Sequence, residues 1–405
     1  MSKTDFDLII IGGGPAGSSL ALLLPENIKI LIIDKSSFPR DKICGECLSP
    51  GAIDIINEIG LEKIFIENNV EKIFGVTFKA PNLKASTVLY PNNKYGYAIP
   101  RTVLDKTLID QAKRKPNITV LESFNLDKIN IEKEFVIVDC INKGENYQFT
   151  SSLLVGADGR YSTTAKLLNM YTSSKESNRY VYVATLDNVK DLNNSIELEI
   201  KSNKLQYLVS KQKDDTASIA VVINNEDFNT KKINTSSYFD LLKQSEFIKN
   251  RIDKSSLETK LKGINLNKYS IKSLVDDRVL FIGDSTGFID PITGEGMYRA
   301  FKTSKIASRY IIESLKTNNY SKDFLINYQN EVFKEFNPIY FFIKTAVFLT
   351  TNEVVANSIV NNIDSMKELG EKIVSLQGAI IPAKELFSYN TLKLCLNLAK
   401  RQILT

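Results

Sequence analysis

The chain opens on a continuous apolar run, FDLIII (6–11), with no polar alternation. A strand buried on both faces reads this way, whereas a half-buried strand alternates. A glycine cluster follows, and then PAGSSLALLL, whose small residues come early, predicts a helix. Pro25-Glu26-Asn27 turns the chain into a second apolar run, IKILIIDK. Strand, glycine turn, helix and strand make the start of a βαβ unit. Between 73 and 99, FGVTFKA and ASTVLYP predict two strands, with a turn at NNKYG. RTVLDKTLIDQAKRK (101–115) carries Val103, Leu104, Leu108 and Ala112 at helical spacing. Short strands follow through ITVLES, EFVIVDC and SLLVGAD.

From 180 to 223 the period becomes two: Tyr180, Tyr182, Ala184; Ile196, Leu198, Ile200; Leu205, Tyr207, Val209; Ile219, Val221, Ile223. That alternation predicts an antiparallel sheet with one covered face. A helix is expected at about 236–252, then a buried strand RVLFIGD (278–284) and a long helix after PITGEG. From about 318 onward the pattern is all-helical.

These elements predict an α/β chain with a Rossmann-like nucleotide-binding domain (1–72, 100–175 and 268–317). An antiparallel β-rich domain (73–99 and 176–267) interrupts it, and a helical C-terminal region (318–405) follows. A length of 405 residues suits two or three such units.

The chain has no histidine, which removes His-based acid–base catalysis, every Ser-His-Asp or Cys-His arrangement and any His-containing metal site. The cysteines are Cys44, Cys47, Cys140 and Cys395. With one C-x-x-C and no second pair, a Cys₄ zinc site cannot be assembled, so no metal is expected. Cys44-Gly45-Glu46-Cys47 could still be a redox pair or two thiols sharing a loop. PRDK before it and Pro50 after it do not predict the helix N-terminus that usually activates such a pair. The net charge of +5 is spread as lysine without interleaved aromatics, so no nucleic-acid partner is expected. The opening MSKTDFDLIIIGGG lacks a signal-peptide pattern, and no apolar run reaches spanning length; a cytoplasmic, reducing setting is expected. A monomer or weak dimer is expected.

Three blocks carry chemistry. Gly12, Gly14 and Gly17 form G-x-G-x-x-G directly after a strand and at a helix start. Glycine there permits the turn and lets backbone N–H groups approach a pyrophosphate, favoured by the helix N-terminus. Asp34 closes the second strand, where a carboxylate accepts from a ribose hydroxyl. LLVGADGRYS (153–162) sets Asp158-Gly159 at another strand end, and VLFIGDSTGFIDPITGEG (279–296) sets Asp284 after a strand and Gly294-Glu295-Gly296 at a helix start. That helix end suits an anion.

The order and spacing of the three blocks resemble the FAD-dependent oxidoreductases built like aromatic hydroxylases. The resemblance spans about residues 5–315. It implies a cofactor set of Gly12, Gly14, Pro15, Ala16, Gly17, Asp34, Lys35, Asp158, Gly159, Asp284, Gly294, Gly296 and Met297. Arg101, opening an R-x-x-x-D-x-x-L helix, would contact the cofactor, and Leu126 would meet adenine. Within that superfamily, FPRDKICGECLSP (38–50) and GFIDPITGEG are most similar to the geranylgeranyl reductase family, whose members show F-P-R-x-K-x-C-G-x-x-L-S-P. This adds Arg40, Cys44, Gly45 and Cys47 to the expected set. It puts Cys44 on the flavin face as the catalytic candidate and leaves Cys47 as a neighbour.

The family's Y-x-W-x-F-P substrate strand corresponds to LQYLVSK (205–211), with Leu205 and Tyr207 in the aromatic positions. Two activities follow from the resemblance: reduction of a C=C bond in an apolar, prenyl- or lipid-like substrate, or hydroxylation of an aromatic or polyketide-like compound. No second dinucleotide motif is present, so NAD(P)H or a reduced electron-transfer protein would visit transiently. The C-terminal helices, with IYFFIKTAVFL and TLKLCLNLAKRQ, would cap the substrate domain or touch a membrane surface.

Overall fold

A computed structural model of the protein describes residues 4–42, 46–80, 84–175, 177–202, 204–224, 233–288, 294–350, 357, 360–361 and 367–388. Its first sheet is built from β1 (Phe6–Ile11), β2 (Ile30–Asp34), β3 (Ile118–Glu122) and β4 (Glu145–Gly156). They lie side by side in the order β4-β1-β2-β3, all parallel, and Val279–Phe281 extends the sheet in parallel beyond β4. The apolar runs are buried as the sequence predicts, with Leu8, Ile9, Ile10, Leu31 and Ile32 fully inaccessible. Helix α1 (Pro15–Leu23) packs on one face together with α2 (Arg101–Lys113).

The second sheet holds β5 (Arg179–Leu186), β6 (Ile196–Ser202), β7 (Leu205–Lys213), β8 (Thr216–Asn224) and β9 (Lys262–Asn265) in the order β9-β5-β8-β7-β6, with Gly75–Lys79 and Ser86–Leu89 beyond β6. The expected single covered face is corrected here: both faces are covered. Tyr207, Val209, Ile219, Val221 and Ile223 pack with helix α3 (Thr235–Leu242). The register pairs Leu198 with Leu208 and Leu208 with Ala220, so these residues share the opposite face. The alternation of β6 is out of phase with that of β7: Ile196 and Leu198 lie on this second face, while Glu197 turns to α3's side and is held by Arg251. The helix expected to about 252 stops at Leu242.

Helix α4 (Gly296–Thr317) packs against α1, and α5 (Lys322–Thr350) packs on α4. Among the described residues, no helix is long and apolar enough to cross a membrane. In the apolar segment 338–349, Ile339 and Ile343 are buried in the main core, while Phe341 is 55% exposed. Residues 391–402, the second apolar stretch of the tail, lie outside the described residues.

Candidate active site

The chain leaves β1 at Gly12, whose φ of +109° suits glycine, and enters α1 at Pro15 with Gly14 as N-cap. A Cβ on Gly12 would lie 2.4 Å from the Ala157 carbonyl oxygen, so the turn seats directly on the end of β4. Gly17 serves packing: a Cβ there would lie 1.9 Å from the Gly12 carbonyl oxygen. At the end of β2, the Asp34 carboxylate accepts from the amides of Gly13 and Ser36, both at 2.8 Å. It also accepts from Arg40 at 3.1 Å.

Arg40 continues to Asp105 at 3.2 Å, and Asp105 takes Arg101 through two bonds of 2.7 and 2.8 Å. Asp105 is completely buried and Arg101 is 5% exposed. Asp105 escaped the sequence reading as a site residue. Its signal was the fifth position of the R-x-x-x-D motif, which places it one helical turn from Arg101.

Every described member of the expected cofactor set except Gly17 lines one cavity of about 410 Å³, a size typical of small-molecule and cofactor sites. Asp158 stands at its wall, its carboxylate accepting from Ser162 Oγ, Thr164 N and Thr164 Oγ1, so it also caps a short helix. Leu126 lies at the β2 end with Phe124 and Asn125. Cys44 and Gly45 lie outside the described residues. Cys47 lines the cavity, and its thiol donates to Ser210 Oγ at 3.0 Å.

The substrate strand is a correction. Tyr207 is fully buried and its hydroxyl donates 2.8 Å to the Leu241 carbonyl, on the α3 side. Leu205 packs in the same cluster. The cavity face of β7 carries Leu208 and Ser210 instead, flanked by Val181, Val183, Ser218 and Ala220. The residues in the motif's aromatic positions thus face α3 and not the cavity, since alternate residues of a strand lie on opposite faces.

Helix α5 adds Phe336, Ile339, Tyr340 and Ile343 to the lining of the cavity. Arg299 of α4 sits 5.2 Å from the Tyr340 ring centroid and 5.9 Å from that of Phe336. Its guanidinium donates to the Gly287 carbonyl and to Thr286 Oγ1.

Lys42, Arg160 and Arg299, like Arg40 and Arg101, line the cavity. Together with the N-termini of α1 and α4 they favour an anionic ligand. Crowding by protein and the charge of Arg101 hold the Lys42 ammonium below the usual lysine range. Next to the loop, Glu46 is pushed up to about 7 by burial, while the backbone amide of Arg101 pulls the other way.

Folded protein should therefore hold a proton on Glu46 that the unfolded chain releases above pH ~4.5, and stability should fall as pH rises from there to about 7. Glu46→Gln should flatten this decline by about 2–3 kcal/mol. Urea unfolding of both proteins at acid and neutral pH measures it, and equal slopes would remove Glu46 as the source.

The cradle fits FAD. At the start of α4, an added Cβ on Gly294 or Gly296 would meet nothing within 4 Å, which leaves open space before a helix N-terminus. Asp34 and the Gly12–Gly14 turn stand together at the β2 end of the same cavity. A family model described as FAD binding domain matches residues 5–331.

A digeranylgeranylglycerophospholipid reductase from Methanococcus aeolicus is 27% identical over 340 residues, 81% of this chain and 82% of the relative. A 1H-pyrrole-2-carbonyl-(peptidyl-carrier protein) chlorinase from Pseudomonas fluorescens is 23% identical over 370 residues, 82% of this chain and 81% of the relative. A flavoprotein/dehydrogenase from Cytophaga hutchinsonii shares the fold with a TM-score of 0.85 at 20% identity, covering 98% of this chain and 99% of that one. With more than three quarters of its length matched by the family model, and its glycine turns, Asp34 and Asp284 gathered on one cavity, the chain belongs to the FAD binding domain family and is an FAD-dependent oxidoreductase.

Proposed function

We propose that this enzyme reduces C=C bonds of an apolar, prenyl- or lipid-like substrate, with NAD(P)H or a reduced electron-transfer protein as the transient electron donor. The observation that carries this reading is the continuity of the cofactor cradle with an apolar chamber. Val181, Val183, Leu208 and Ala220 of the second sheet and Phe336, Ile339 and Ile343 of α5 line it. Burying a chain of methyl and methylene groups there contributes about 0.8 kcal/mol per CH₂. FAD, when bound, supplies hydride. The protein's part is to hold the alkene against the cofactor and keep water out. The reductase relative supports the substrate class.

A second reading, hydroxylation of an aromatic or polyketide-like compound, draws on the polar spot of Cys47, Ser210 and Ser218 in the same wall, which suits a phenol or carbonyl. Anaerobic turnover separates the two. The FAD-loaded enzyme, mixed without O₂ with NADPH or NADH and a prenyl lipid, should yield the saturated product. Product formation that strictly requires O₂ overturns the reductase reading in favour of hydroxylation.

A further inference from the structure

Glu295 is the N-cap residue of α4, and it lines the cavity. It is 5% exposed, and neither carboxyl oxygen has a hydrogen-bond partner. An ionised carboxylate so placed would lose its hydration and gain nothing in exchange, so the group is stable there as the neutral acid. Burial, and the charge of Glu335 nearby, push it well above the usual carboxylate range.

One helical turn later stands Tyr298, 7% exposed, whose hydroxyl donates 2.7 Å to Glu335 Oε1. Glu335 lies 3.7 Å from Lys302, and the side chains of this last pair are each 30% exposed. On the same cavity, Tyr340 of α5 has Arg299, Asp284 and Glu295 around it.

We infer that Glu295 is the proton donor of the reduction. The inference rests on the reductase reading. In the step, one alkene carbon receives hydride from the reduced cofactor. The other receives H⁺ from Glu295, whose O–H bond breaks as the new C–H bond forms. The carboxylate is then reprotonated by solvent water once the product has left the cavity. Atoms and charge balance, with NAD(P)H or the electron-transfer protein as the reductant of the cofactor.

The test pairs a readout that needs no substrate with one that does. The infrared difference spectrum, wild type minus Glu295→Gln, of the FAD-loaded proteins should show an H/D-sensitive carbonyl stretch of a protonated carboxylic acid, the subtraction cancelling other protonated carboxyls such as Glu46. Single-turnover alkene reduction by pre-reduced enzyme should fall about 100-fold in Glu295→Gln, the scale of a lost general acid, with FAD stoichiometry retained. In wild type it should also fall as pH rises far enough to ionise Glu295, because only the acid form donates.

A difference spectrum without that band overturns the assignment of the neutral acid. The band with an undiminished single-turnover rate in Glu295→Gln overturns the donor role alone. A wild-type protein that shows the band but reduces no alkene under any reductant overturns the reductase reading and the donor role with it.

Discussion

Replacing Gly12 with alanine is expected to leave the protein without bound FAD. At φ +109° an L-residue is strained, at a cost of about 1–3 kcal/mol. The new methyl would also lie 2.4 Å from the Ala157 carbonyl oxygen and 2.9 Å from Asp158 Cα. Both contacts are backbone of the β4 end, which cannot swing aside as a side chain would. The turn must therefore move away from β4, and Asp158 and the start of α1, both on the cavity, lose their spacing. A loss of at least about 100-fold in FAD affinity, or ~2.7 kcal/mol, is expected.

Gly144→Ala is the control. Gly144 has φ +85° in a hairpin turn but nothing within 4 Å of an added Cβ, so it introduces backbone strain away from the cavity. Flavin absorbance per chain and FAD titration compare the two variants. Full flavin content in Gly12→Ala would show that the turn tolerates displacement and does not seat the cofactor.

Asp105→Ala is expected to cost about 3–5 kcal/mol of stability, the penalty of breaking a buried ion pair from one side. It would strip Arg101, 5% exposed, of two carboxylate bonds and release the Arg40 clamp on the same carboxylate. FAD affinity should fall as well, because Arg40 and Arg101 both line the cavity. Asp110→Ala on the same helix removes an exposed i,i+4 partner of Lys106 and should cost less than about 0.5 kcal/mol. Urea unfolding of both apoproteins measures the contrast. A similar small cost for both would mean that the buried network is structurally dispensable.

Much of the cofactor half was legible from local pattern. Apolar runs of five or six residues bounded by turn signals read as strands covered on both faces, and Gly12 and Gly14 at that spacing serve one turn geometry. Asp34 follows at the next strand end. These are constraints between neighbours in sequence, so they can be read along the chain.

What only the tertiary structure decided is which partner each element meets. The alternation in β7 offers two faces, and α3 took the one with Tyr207 and Val209, leaving Leu208 and Ser210 for the cavity. No local signal distinguishes the faces, because that choice depends on pairing with β6 and β8 and on the helix that lands on the sheet. Asp105 joins Arg40 across 65 positions, and α5 closes the chamber from the C-terminal region. Glu295 reads in sequence as a polar residue between two glycines. Its isolation from water and from every hydrogen-bond partner exists only once α4, α5 and the cavity wall have come together. The sequence by itself determined the cofactor turns and their order; packing between distant segments decided the walls of the substrate chamber and where its buried acid stands.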